Sequence, residues 1–295
     1  MKNKTCIIIS GATAVGKTSY GIELAQKYNT QIISADSRQC FRELNIGVAK
    51  PTSEQLQSIH HYFINSHSIQ DEINVKVFEE YALQSVRKIF ESNDFAIMVG
   101  GTGLYIKAFC EGLDEVPPVN ESIRKEINKS YEQKGLEWLS KKIKEEDPLY
   151  FSSGEIENPQ RMLRALEVKL STGRSILNFQ SGKKIERDFN IKNINLEIPR
   201  EDLYKRINHR VDEMMHAGLL KEAESLYPYR HLNALQTVGY RELFEYMDEK
   251  TLPTGRQVSL DKAVEKIKKN TRNFAKRQVT WFKKVNSYLD GNVTS

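Results

Sequence analysis

Three observations predict an α/β fold: a parallel sheet flanked by helices, with an all-helical insertion. Apolar strand-like runs alternate with amphipathic helical stretches over residues 1–113. The first run, Cys6-Ile7-Ile8-Ile9-Ser10, leads straight into a glycine-rich turn and then a helix-forming stretch. Pro117-Pro118 ends the alternation, and a charge-rich helical region follows.

The elements follow in order. Residues 5–10 are a strand, 17–28 a helix, and 31–34 a second strand that ends at Asp36. Residues 75–91 place Val75, Phe78, Tyr81, Ala82, Val86, Ile89 and Phe90 at helical spacing. A strand at 95–99 ends in Gly100-Gly101, and a helix follows at 102–110. This order implies parallel strands with ligands bound beyond their carboxyl ends. From residue 121 to about 170 the pattern is helical, with Ile123, Ile127, Tyr131, Leu136, Leu139 and Ile143 as its apolar stripe. Residues 171–190 are polar and loop-like, so 114–190 is expected as the insertion. A returning strand at 193–198, helices at 200–216 and 218–226, and a long amphipathic helix at 259–289 complete a core of 1–113 and 191–295. In that last helix Val264, Ile267, Thr271, Phe274, Gln278, Trp281 and Val285 share one face. Lys262, Lys266, Lys269, Arg272, Lys276 and Lys283 share the other, which is either a solvated face or a track for a phosphate backbone.

The turn after the first strand reads Gly11-Ala12-Thr13-Ala14-Val15-Gly16-Lys17-Thr18, the G-x-x-x-x-G-K-[ST] pattern of a phosphate-cradling P-loop. Its glycines let successive N–H groups turn inward onto phosphate oxygens. The helix that follows presents its positive end to the same anion. Lys17 adds a point charge, and the Thr18 hydroxyl is suited to Mg²⁺.

Composition narrows the class further. Three widely separated cysteines and six histidines match no metal spacing, and the sparse cysteines fit a reducing cytoplasm. His60 and His61 are adjacent and read as packing or loop residues. No apolar run is long enough to span a bilayer, and no secretory leader is expected. A net charge of +5 is too mild to identify a nucleic-acid partner, but residues 262–284 are rich in Lys and Arg with a single acid, Glu265.

A P-loop most often serves phosphoryl transfer, so its companions decide. The 95–99 strand ends in glycines and not in a magnesium-binding aspartate, and no guanine-reading N-K-x-D follows. This counts against a motor or switch protein and leaves a small-molecule kinase open. Asp36 either takes a proton from a nucleophile or caps a turn. Thr102 either faces an anion or is a plain helix cap.

The motifs together resemble the tRNA dimethylallyltransferases, also called tRNA isopentenyltransferases. The resemblance rests on the P-loop, S-A-D-S-R-Q (34–39), N-I-G-V-A-K-P (45–51), His60-His61 and V-G-G-T-G-L-Y (99–105). It continues through N-P-Q-R-M-L-R-A-L-E (158–167), Q-T-V-G-Y-R-E (236–242) and T-R-N-F-A-K-R-Q-V-T-W-F (271–282). It implies a P-loop NTPase-like core and transfer of a dimethylallyl group from dimethylallyl diphosphate to N6 of the adenosine just 3′ of the anticodon. It implies Asp36 as general base, Thr102 beside the reacting centre, Lys17 and the P-loop on the donor diphosphate, and Mg²⁺ on Thr18. The tRNA contacts it implies are Asp36, Ser37, Arg38, Gln39, Thr102, Arg124, Gln160, Arg161, Arg164, Gln236, Thr237, Val238, Gly239, Tyr240 and Arg241. The insertion would grip the anticodon arm, and a cytoplasmic monomer is the simplest expectation. An enzyme that prenylates free AMP or ATP would share the P-loop and Asp36 but would have little use for the insertion. Where the family's D-S-x-Q segment usually continues to Tyr, this chain has Phe41.

Overall fold

A computed structural model describes residue 1, residues 3–251 and residues 259–289; the side chains of 250–251 and 285–289, including Val285, lie outside the described set. The strands are β1 (Thr5–Gly11), β2 (Ile32–Ala35), β3 (His61–Tyr62), β4 (Phe95–Gly100) and β5 (Asn190–Leu196). The first helices are α1 (Lys17–Lys27), α2 (Ser53–Ser58), α3 (Val75–Ser92) and α4 (Gly103–Glu111). Then come α5 (Glu121–Glu146), α6 (Pro148–Ser153), α7 (Pro159–Thr172) and α8 (Arg200–His216). The last are α9 (Leu219–Leu226), α10 (Tyr240–Thr251) and α11 (Leu260–Leu289).

The chain divides into two compact units, residues 1–111 with 186–295, and residues 112–185. In the first, the strands lie in the order β3-β2-β4-β1-β5, and every pairing is parallel. Ile7, Ile8 and Ile9 of β1 are all buried, because both faces of a central parallel strand are covered; hence a continuous apolar run and no alternation. The α3 helix starts where the Asn74 side chain accepts from the Lys76 and Val77 N–H groups, a cap worth about 1 kcal/mol. It buries Phe78, Ala82, Val86, Ile89 and Phe90 at the predicted spacing.

β5 begins three residues before the predicted start. Asn190-Ile191-Lys192 pairs with Thr5-Cys6-Ile7 at the sheet edge, where no residue of the strand is fully buried and its polar residues hide the strand signal. The two-residue edge strand β3 carries too little sequence to be recognised.

The second unit packs α5, α6 and α7 around Ile127, Leu139, Ile143, Met162, Leu163 and Leu166. The predicted stripe fails at Leu136, which is 50% exposed. Non-helical backbone at Gly135 breaks α5 just before it and resets the helical phase. Asn158 caps α7 by accepting from the Gln160 and Arg161 N–H groups.

Candidate active site

The sheet order places the loops after β1, β2 and β4 side by side at one edge of the first unit. β4 lies between the P-loop strand and the Asp36 strand; it ends at Gly100, and Gly101 follows. Residues without side chains there leave the two flanking loops open to a common cavity. That cavity is lined by Lys17, Thr18, Asp36, Gly100, Gly101 and Arg210, among others.

The P-loop takes the shape its glycines allow. Gly11 has φ 141°, and a Cβ there would lie 2.6 Å from the Leu196 carbonyl oxygen. Gly16, at φ 107°, is the residue from which α1 starts. Lys17 Nζ donates to the Ala12 carbonyl at 2.7 Å. Burial lowers the Lys17 amine to about 8; Asp36 opposes that shift and Arg210 adds to it. The Thr18 hydroxyl lines the cavity and makes no hydrogen bond among the described residues. No cluster of three or more His, Cys, Asp or Glu residues suited to a metal occurs among them. A free hydroxyl beside a loop of the phosphate-cradling pattern fits Mg²⁺, an ion that commonly takes only one or two protein ligands and completes its shell with phosphate oxygens and water.

Asp36 caps a turn with one carboxylate oxygen and leaves the other unengaged. Its Oδ1 accepts from the Arg38 N–H at 2.9 Å and the Gln39 N–H at 3.2 Å, which fixes the turn. Its Oδ2 accepts no hydrogen bond among the described residues. Asp36 also lines a second cavity, together with Ser37, Arg38, Thr102, Thr237 and Arg241. The two cavities share Thr13, Asp36, Val48, Ala49, Gly101, Arg210, Phe274 and Gln278.

Thr102 sits where a helix cap would, and its carbonyl accepts from the Ile106 N–H. Its hydroxyl, however, accepts from the Ser37 N–H at 3.1 Å and so ties the β4–α4 loop to the Asp36 loop. Gln39 Nε2 donates to the Val48 and Ala49 carbonyls at 3.2 and 3.1 Å, binding the 45–50 loop to the site wall. Arg38 Nη1 donates to the Asn233 carbonyl at 2.8 Å, and Gln236 Nε2 to the Arg230 carbonyl at 2.6 Å. Gly239 N–H donates to the buried Glu242 carboxylate at 2.7 Å.

Tyr240 requires a correction. It is fully buried, and its hydroxyl donates to Glu222 Oε1 at 2.5 Å. Glu222 in turn accepts from the Ile46 and Gly47 N–H groups at 2.8 and 2.9 Å. The tyrosine therefore supports the 45–50 loop, and its side chain offers no surface to an RNA. Phe41 is also buried, at 3% exposed, in keeping with its lack of a hydroxyl. His61 Nδ1 lies 2.8 Å from the Ile59 carbonyl, a loop hydrogen bond of the kind expected.

In the second unit, Arg124 and Arg164 share one buried carboxylate, Glu167, at 3.4 and 3.3 Å. Arg161 pairs with Glu155, and Gln160 is exposed.

Some site residues escaped the sequence reading. Arg210 lines both cavities and makes no ion pair among the described residues; burial lowers its pKa, with Glu213 opposing. Nothing in the 200–216 pattern separates it from a solvated arginine. Phe274 was placed on the packed face of the last helix, yet it is 40% exposed and lines both cavities. Gln278 was counted as part of an apolar stripe; it is a buried amide at the junction of the cavities.

Fold and site together define a P-loop α/β protein whose anion cradle opens beside a carboxylate that also lines a second cavity. The family model described as IPP transferase matches residues 39–285, and the chain belongs to that family. It is 48% identical to a tRNA dimethylallyltransferase of Christiangramia forsetii, over 94% of this chain and 90% of the relative. It is 47% identical to one of Flavobacterium johnsoniae, over 95% and 91%. Among solved structures it is similar to the tRNA isopentenylpyrophosphate transferase of Bacillus halodurans, with TM-score 0.67 and 34% identity over 96% of this chain and 87% of that one. It is also similar to a eukaryotic dimethylallyltransferase acting on tRNA, with TM-score 0.76 and 26% identity over 95% and 70%.

Proposed function

We propose that this protein transfers a dimethylallyl group from dimethylallyl diphosphate to N6 of the adenosine immediately 3′ of a tRNA anticodon. The observation that carries the reading is that Asp36 lines both the P-loop cavity and the second cavity. A donor diphosphate on the P-loop and a base entering from the second cavity would meet at its carboxylate. The N6 lone pair attacks the allylic carbon, the carbon–oxygen bond breaks, diphosphate leaves, and the N6 proton passes to Asp36. An adenine amine is a weak nucleophile, so the base must act as the carbon–nitrogen bond forms. The free Oδ2 is the oxygen left for that task.

Lys17, the loop amides and Arg210 receive the charge that grows on the departing diphosphate, where preorganised donors have most leverage. Mg²⁺ held by Thr18 and the diphosphate oxygens would add further charge stabilisation there. Thr102 holds the Ser37 turn beside the acceptor. The adenosine is stacked in the free anticodon loop and must be swung out to reach the site. Ser37, Arg38, Gln39, Gln236, Thr237, Val238, Gly239 and Arg241 are the acceptor-side contacts in the first unit, and the exposed cations of α11 track phosphates. Arg124, Gln160, Arg161 and Arg164 are those of the second unit, which we assign to the anticodon arm. Among the described residues no helix is long and apolar enough to cross a membrane, and the protein would act as a cytoplasmic monomer.

Incubation with labelled dimethylallyl diphosphate, Mg²⁺ and either unmodified tRNA or AMP tests the proposal. Label is expected in tRNA alone. Label in AMP but not in tRNA would identify an adenylate prenyltransferase, and phosphate transfer from ATP without prenyl transfer a kinase.

A further inference from the structure

We infer that Gln278, on the long C-terminal helix, is a positioning residue that clips the P-loop to the β4–α4 loop. Its Oε1 accepts from the Thr13 backbone N–H at 2.8 Å. Its Nε2 donates to the Gly101 carbonyl at 2.9 Å. One amide thus satisfies a donor on one loop and an acceptor on the other, which no hydroxyl, amine or carboxylate does with the same reach. The side chain is only 7% exposed, at the junction of the two cavities.

The surroundings are shaped to this amide. A Cβ on Gly101 would overlap Nε2, so the glycine leaves room for the clip as well as for a substrate. Thr13 is the third residue of the P-loop, and fixing its N–H fixes the direction in which the next amides point. Without the clip the loop keeps its apolar contacts to Ala275 and Val279 but loses its only side-chain hydrogen bond to α11 among the described residues, and Gly101 loses the donor on its carbonyl. A buried carbonyl is then left without its donor at the wall shared by the two cavities. The site would keep its residues and lose their alignment, and catalysis that depends on preorganised donors suffers most from that.

This inference rests on the proposed prenyl transfer, so the wild-type protein is assayed first with dimethylallyl diphosphate and tRNA. An inactive wild type rejects that function; an active wild type with normal Gln278 variants rejects only the clip. Gln278→Glu keeps the size and the acceptor for Thr13 but loses the donor to Gly101. Gln278→Met loses both. At about pH 7.5 each is expected to raise the donor KM about tenfold, with tRNA affinity within about twofold of wild type. The pH profile separates clip from packing. As the pH falls toward about 5.5, the carboxyl of Gln278→Glu gains a proton and again donates to Gly101, so its kcat/KM relative to wild type rises. The same ratio for Gln278→Met stays flat. Gly101→Ala attacks the clip from the opposite side without adding charge, and its effect should be less than additive with that of Gln278→Met. It also serves if Gln278→Glu fails to fold. Unchanged donor KM in the folded variants, or matching pH profiles for Glu and Met, would overturn the inference.

Discussion

The hydroxyl of Thr102 accepts a hydrogen bond from the backbone N–H of Ser37 across 3.1 Å, although Thr102 stands at a helix start where such a hydroxyl usually caps its own helix. The bond joins the end of β4 to the turn that carries Asp36. Thr102→Val removes the acceptor and nearly keeps the volume. We expect about a tenfold loss in kcat with little change in melting temperature, and near-normal activity for Thr102→Ser. Steady-state kinetics on the two variants check this; equal losses in both would assign Thr102 to packing.

Asp36 has two jobs that two substitutions separate. Asp36→Asn keeps an oxygen for the Arg38 and Gln39 N–H groups but cannot take a proton. It should keep its thermal stability and lose about a hundredfold or more in turnover. Asp36→Ala should lose the same turnover and, in addition, about 1 kcal/mol of stability as the turn loses its cap. In both, tRNA affinity should hold within a few-fold. A denaturation curve beside a single-turnover assay reads both quantities, and an active Asp36→Asn protein rules out the base.

The Lys17 amine, lowered by burial to about 8, predicts a proton linkage. A bound diphosphate favours the charged amine and raises its pKa again. Binding above pH 8 must therefore take up a proton, and the uptake should grow from about pH 7 to about pH 9. Calorimetry in buffers of different ionisation enthalpy counts those protons; Lys17→Met should show no such uptake. The sign for stability is opposite to that of a favourable ion pair. The folded pKa lies below the unfolded one, so the charged amine costs stability below pH 8, and the cost fades as pH rises toward 10.5. Lys17→Met should accordingly fold at least as stably as wild type at neutral pH while losing donor affinity.

The exposed Lys276, Arg277 and Lys283 on α11 predict tRNA binding that weakens steeply with salt. Reversing Arg277, which lines the second cavity, should flatten the slope of log affinity against log salt by about one phosphate contact. Filter binding across a salt series measures it, and an unchanged slope removes Arg277 from the contact surface.

The legible parts of this protein are those where chemistry constrains a short stretch of chain. The P-loop, the Asp36 turn and Gly100-Gly101 each announce themselves because backbone geometry and phosphate binding tolerate few residues there. Helices such as α3 announce themselves through burial on one side. What escaped the sequence reading depends on packing between distant elements. Gln278 lies 265 residues from Thr13, and its polarity was hidden inside an apolar stripe. Glu222 reaches the 45–50 loop from another helix, and nothing near it in sequence marks the contact. Leu136 was misplaced because a local backbone break at Gly135 shifted the helical phase.

The central claim is that this P-loop holds a leaving group for carbon–nitrogen bond formation. The most direct test measures, in one reaction of protein, dimethylallyl diphosphate and unmodified tRNA, the diphosphate released and the N6-dimethylallyl adenosine formed. The account predicts equal amounts of the two, no dependence on ATP, and modification confined to the adenosine 3′ of the anticodon. Release of phosphate from ATP with no prenylated nucleoside would contradict it.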